Sequence, residues 1–145
     1  MFGLRKKRRR KIRSRPFPRA LNTSYEEALI EVQEALTEEG FSVLATVDVQ
    51  STLKKRLNVD FRKYTILEVC NPFYAFQALQ TDLDVGLLLP CNVIIYETDD
   101  YNVYVSAINS LSVLDEIHDE KLGIIAEAVL TKLQKVMENI VQETV

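Results

Sequence analysis

Apolar residues recur at helical spacing early in the chain, at Tyr25, Ala28, Leu29, Val32, Ala35 and Leu36, with glutamates filling the opposite face. This pattern predicts an amphipathic helix. Ser24 and Glu27 stand at the spacing of a capping box, and Gly40 suits the left-handed position that ends such a helix. The period then drops to two. Phe41, Val43, Ala45, Val47 and Val49 alternate with Ser42, Leu44, Thr46 and Asp48, which predicts a strand with at least one buried face. Leu53 and Leu57, four apart among basic residues, suit a short surface helix over residues 51–58. Residues 64–70 (YTILEVC) are apolar on both faces except at Glu68 and read as a central strand.

Asn71-Pro72 is a helix-start signature, with Asn as cap and Pro in the first turn. Phe73, Ala75, Phe76 and Leu79 follow as an apolar stripe of about two turns. Residues 92–97 and 102–108 flank the polar turn Thr98-Asp99-Asp100 and predict a hairpin. Asp119 can cap a last helix whose stripe runs through Leu122, Ile125, Ala126, Val129, Leu133, Val136, Met137 and Ile140. With residues 16–22 as a short edge strand, the order is β-α-β-β-β-β-α. Strands adjacent in sequence imply an α+β fold, with a mostly antiparallel sheet of four to five strands and two main helices on one face.

Composition adds a boundary. A chain of 145 residues, 47% apolar and 27% charged, suits one domain that builds its core without a staple. Residues 1–15 form a basic arm and residues 16–145 the domain. Ten of the eighteen basic residues lie between Arg5 and Arg19, where there is no acid. The other eight face all twenty-one acids, leaving the body at a formal −13. Such a body repels nucleic acid and anionic membranes, whereas the arm can attract either or fold back onto the body's own acidic surface. No apolar run approaches a membrane span, and no apolar segment follows the N-terminal charges as a secretory signal requires. The expectation is a cytoplasmic protein with two free thiols and no membrane partner.

The run KYTILEVCNPFYAFQALQTDLDVGLLLPCNVIIYETDD resembles the signature of domain-of-unknown-function family 302. Its marks are a strand ending in Cys-Asn-Pro, a short helix with Ala-Leu, and Gly-Leu-Leu-Leu-Pro-Cys-Asn-Val opening the hairpin. EALTEEGFSVLATVDVQSTLKKRLNVD is similar to that family's first helix and second strand. The resemblance spans about residues 24–140, and LLLPCNV is its most specific block. It implies a TATA-binding-protein-like helix-grip fold, in which a curved antiparallel sheet grips a long helix. It also implies frequent dimers and no established activity. The start departs from the family pattern, because arginines, lysines and two prolines replace an alternating apolar first strand.

Cys70-Asn71-Pro72 and Pro90-Cys91-Asn92 are the leading candidates for chemistry. Each pairs a thiol with an amide at a junction between elements, and convergence of the junctions would build a site. A helix starting after Cys70 would favour its thiolate through the helix dipole. The same residues also suit burial as small hydrophobes, with Asn71 capping and Asn92 satisfying a turn. Two thiolates without a nearby His fall short of a zinc site, so no metal is expected. Glu68 and Glu97 are strand carboxylates suited to acid–base work if paired and buried, and otherwise to solvent or to pairing of Glu68 with Arg62 or Lys63. His118, the single histidine, has no triad partners around it. Glycines at 3, 40, 86 and 123 form no phosphate loop, and no cofactor is expected. Arg5, Lys6, Lys7, Arg8, Arg9, Arg10 and Lys11 could neutralise phosphates but lack interleaved aromatics.

A full hydrophobic frame without a recognisable catalytic constellation points to a non-enzymatic small-ligand or protein-interaction domain acting as a homodimer. A thiol-based sulfur carrier, redox or soft-metal-binding protein using Cys91 and Cys70 is the alternative. Nucleic-acid binding through the arm is a third.

Overall fold

The computed structural model of the chain describes residues 19–108 and 119–143, the last three as backbone only. The basic run 5–11, Pro16, Pro18 and His118 lie outside the described residues. The five strands are β1 (Arg19–Leu21), β2 (Ser42–Asp48), β3 (Tyr64–Cys70), β4 (Cys91–Glu97) and β5 (Val103–Ala107). They form one sheet in the order β1-β5-β4-β3-β2, every neighbouring pair antiparallel. The helices are α1 (Tyr25–Glu38), α2 (Val49–Leu57), α3 (Pro72–Thr81) and α4 (Glu120–Glu143), with a 3-10 helix at Leu83–Leu88. This is the α+β class and element order expected.

α1 starts where the Ser24 hydroxyl accepts from the Glu27 amide at 3.1 Å. It ends in a Schellman motif, with Phe41 N–H bonding the Leu36 carbonyl and Gly40 N–H the Thr37 carbonyl. Gly40 holds φ at +83°, the left-handed region that glycine enters without steric cost. α2 begins two residues earlier than the leucine spacing suggests, because the Asp48 carboxylate accepts from Ser51 N–H at 3.0 Å. Asp119 caps α4 by accepting from the amides of Lys121 and Leu122.

Both long helices press their stripes onto one face of the sheet. Ala28, Val32 and Leu36 of α1 share one buried cluster with Leu133, Met137 and Ile140 of α4. Leu67, Val69, Val93, Ile95, Val103 and Val105 supply the sheet side of it. A smaller cluster of Ala78, Val85 and Leu122 joins α3, the 3-10 helix and the first turn of α4.

Two expectations change. The alternation of β2 does not hold one face, because the register shifts between Val43 and Ala45. Val43 pairs with Val69 on the helix-covered side, whereas Ala45 and Val47 pair with Glu68 and Ile66 on the other. One extra residue in a period-two pattern flips every side chain after it. α3 also turns the apolar stripe read from its sequence largely outward: Phe73, Phe76 and Leu79 are exposed and Ala78 is the helix's buried residue. α3 packs against α4, and small side chains allow that close approach where phenylalanine rings would not. β3 has a partner on each side, as an interior strand should, although β4 is the middle strand of the five.

Candidate functional site

β3 ends at Cys70 and β4 begins at Cys91, with Val69 opposite Cys91 in the register. The two junctions therefore meet at one end of the sheet. Between the sheet and the α3–3-10 segment lies a cavity of about 60 Å³ lined by Phe41, Cys70, Asn71, Cys91, Ala126 and Val129, with Tyr74, Ala78, Val85 and Leu89 among the residues that roof it. Its walls come from both buried clusters, so the cavity is the seam between them. At this size it holds a few waters or a small apolar group, well below the roughly 300 Å³ at which drug-sized ligand pockets begin.

Of the six residues singled out for ligand contact, three reach this cavity and three do not. Cys70, Asn71 and Cys91 line it. Pro90, joined to Leu89 by a cis peptide bond, precedes β4 off the lining. Asn92 is exposed and sits opposite Glu68 across β3 and β4, so this pair belongs to the other face of the sheet. Strand alternation separates Asn92 from Cys91 by a half-turn, which sequence adjacency does not reveal.

Asn71 occupies the N-cap position of α3 without a side-chain cap bond. Its amide instead donates to the Glu39 carbonyl at 3.3 Å, tying the end of α1 to the start of α3. Its backbone carbonyl accepts from Ala75 N–H in the first turn. The capping role expected of the side chain is thus replaced by a tertiary bond.

The thiols are protonated at neutral pH. Burial pushes Cys91 up to about 11, with the nearby Cys70 adding in the same direction. Burial also raises Cys70, the opposite direction from the thiolate that a helix start would favour. A thiolate nucleophile or soft-metal ligand is favoured by the opposite shift. Among the described residues no group of three or more His, Cys, Asp or Glu is placed to hold a metal ion.

The two strand carboxylates lie apart, so the condition for acid–base work is not met. Glu68 is opposite Asn92 and Glu97 lies five residues further along β4, about 17 Å at ~3.4 Å per residue. Arg62 bonds Asp99 at 3.4 Å and Lys63 bonds Glu26 at 2.7 Å. These cations thus serve acids other than Glu68.

A second surface was not read from the sequence. Tyr64, Tyr96 and Tyr104 are cross-strand neighbours on the face away from α1 and α4. Their rings stack at 5.5 and 5.7 Å between centroids. Ile66 and Ile94 pair beside them, and Ala45 and Val47 extend the face through β2. Glu68 is the one charged residue among the strand positions of this face. A signal did exist: Tyr96 and Tyr104 are equidistant from Asp100 in the predicted turn, which places them opposite each other in a symmetric hairpin.

At the far end of the sheet the buried Tyr25 hydroxyl is hydrogen bonded to the Thr65 hydroxyl, with Lys63 over the ring at 5.8 Å. Burial raises the Tyr25 hydroxyl above its ordinary range. This pair fastens α1 to β3. No helix among the described residues is long and apolar enough to cross a membrane.

The family model described as "Domain of unknown function DUF302" matches residues 17–140. No curated protein matches the chain. Among solved structures, the chain is similar to the uncharacterized conserved protein DUF302 from Bacillus stearothermophilus, at 25% sequence identity and a TM-score of 0.76. That match covers 89% of this chain and 97% of the other.

Proposed function

Since the chain belongs to the DUF302 family, whose description names no reaction, we propose that it acts by binding: a homodimer joined through the open sheet face, with the small cavity as a site for a small apolar group. The observation that carries this reading is the exposed-side row of Tyr64, Tyr96 and Tyr104 flanked by Ile66 and Ile94. An antiparallel sheet whose second face meets water normally alternates to polar residues there. Here most of that face is apolar and aromatic, with Glu68, Asn92 and Ser106 as its polar strand positions. The charge pattern argues for a second copy as the occupant. Two bodies at −13 repel, so self-association is cheapest through the face with the fewest charges. The long α4 lying across the sheet fits the helix-grip arrangement the family resemblance implies.

The test is the oligomeric state by sedimentation equilibrium. The parent chain is expected to sediment as a dimer, and Ile94→Lys as a monomer with unchanged circular dichroism. A monomeric parent, or a dimer that survives Ile94→Lys, removes the reading. The thiol alternative draws no support from two thiols whose burial keeps them protonated.

A further inference from the structure

The outer surface of α3 and the 3-10 helix carries large apolar side chains in the open: Phe73 at 66% exposure, Phe76 at 64%, Leu83 at 84% and Leu87 at 87%. Beside them a groove of about 860 Å³ separates α3 from the start of α4, lined by Gln77, Gln80, Thr81, Asp119, Glu120, Lys121 and the exposed Ile124. The chain has no Lys or Arg between Lys63 and Lys121. This corner is therefore apolar and mainly acidic, with Asp119 and Glu120 in the groove against one basic lining residue, Lys121, and Asp82 and Asp84 at the adjoining start of the 3-10 helix. Two such corners facing each other would bring like charges together, which disfavours a second copy of the same patch. A segment both basic and apolar fits it.

The chain contains such a segment in residues 1–18, where Phe2, Leu4, Ile12 and Phe17 are interspersed with ten basic residues counted through Arg19. The strand register brings its attachment to the end of the sheet from which α3 departs, within reach of this corner. β1 runs antiparallel to β5, with Leu21 opposite Val103 and Arg19 opposite Val105. Going backward from Arg19, the chain thus heads toward Ala107, which pairs with Val93 near the start of β4. That is the end of the sheet where α3 begins and the 3-10 helix finishes. Eighteen residues reach up to about 60 Å when extended, more than the domain's breadth.

We propose that the basic N-terminal segment docks in cis on the apolar, acidic corner formed by α3, the 3-10 helix and the start of α4 of the same chain. The apolar residues of the segment cover the exposed phenylalanines and leucines, while residues 5–11 face the rim carboxylates. The docked arm covers the outside of the cavity roof and withholds its charges from other polyanions. This surface is separate from the open sheet face, so the two proposals fail independently.

Hydroxyl-radical footprinting of the full chain, read by mass spectrometry at Phe73, Phe76, Leu83 and Leu87, is the test. These side chains are expected to oxidise several-fold more slowly in the parent than in a variant with all seven residues 5–11 changed to Gln. The difference should disappear at about 1 M salt, where screening acts within about 3 Å. Asp84→Asn combined with Glu120→Gln, both exposed positions, should give an intermediate rate. Equal rates in parent and arm variant overturn the proposal. So does protection that grows with protein concentration, because the arm would then belong to another molecule. It is equally overturned if neutralising the arm changes only affinity for added duplex DNA and leaves the rates alone.

Discussion

The side-chain amide of Asn71 donates to the backbone carbonyl of Glu39 across 3.3 Å, joining the last turn of α1 to the first residue before α3. Asn71 is 8% exposed and Glu39 is half-buried, so the carbonyl left behind keeps partial access to water. Asn71→Ala should therefore lower unfolding free energy by about 0.5–1.5 kcal/mol, the net worth of a part-buried hydrogen bond. Urea denaturation with an unchanged slope checks it. A loss within error of zero would mean that solvent replaces the amide.

Cys91 makes stability depend on alkaline pH. Its thiol is raised from 9.0 to about 11 in the fold. Between those values the unfolded chain releases a proton that the folded chain keeps, so stability falls as pH rises. The full contribution is present below pH 9 and lost as the pH passes 9 toward 11. Two pKa units correspond to about 2–3 kcal/mol. Cys91→Ala should flatten this part of the stability-versus-pH curve relative to the parent, measured by denaturation from pH 7 to 11. Superimposable slopes in the two proteins would refute it.

Periodicity made the sheet and the two long helices legible, because Ala28, Val32 and Leu36 or Leu133, Met137 and Ile140 have one solution for burying a stripe. It misled at Leu44, where a single-residue bulge in an edge strand carries no residue-type signature. It misled again at Phe73 and Phe76, since apolar character at helical spacing does not say which of two apolar faces meets the neighbour. Ala75 and Ala78 were the better indicators, as a close helix contact selects small residues. The convergence of Cys70, Asn71 and Cys91 hung on both junctions lying at one end of the sheet, which antiparallel pairing of β3 with β4 supplies. Assigning Asn92 to the same site ignored the alternation that sends it to the opposite face.

The outward face of α3 and the buried stripe of α4 predict opposite mutational responses. Phe76 contributes little to the packed interior, so in the variant with residues 5–11 changed to Gln, where the arm leaves it uncovered, Phe76→Ser should change stability by less than about 0.5 kcal/mol. Leu133, fully buried at the centre of the main cluster, should cost about 2–5 kcal/mol as Leu133→Ala, through lost burial and a residual cavity. Thermal and urea denaturation of both variants supplies the comparison. A Phe76→Ser loss approaching that of Leu133→Ala would place Phe76 in the core and contradict the orientation of α3.

Reagents reach Cys91 only when the cavity roof opens, because a space of about 60 Å³ is too small for a bulky aromatic disulfide. The roof is held by the smaller cluster of Ala78, Val85 and Leu122, whereas the sheet and α1 belong to the larger one. Opening should therefore be local, at a free energy below that of global unfolding. Val85→Ala removes two methyl groups from the small cluster and should speed Cys91 labelling about tenfold for each ~1.4 kcal/mol of roof stability lost. Val32→Ala, in the large cluster, should lower global stability yet leave the labelling rate near the parent value. Labelling of Cys91 by 5,5′-dithiobis(2-nitrobenzoate) at pH 8 in a Cys70→Ser background separates the two routes. If Val32→Ala accelerates the reaction as much as Val85→Ala does, exposure of Cys91 requires whole-domain unfolding and the roof is not an independent unit.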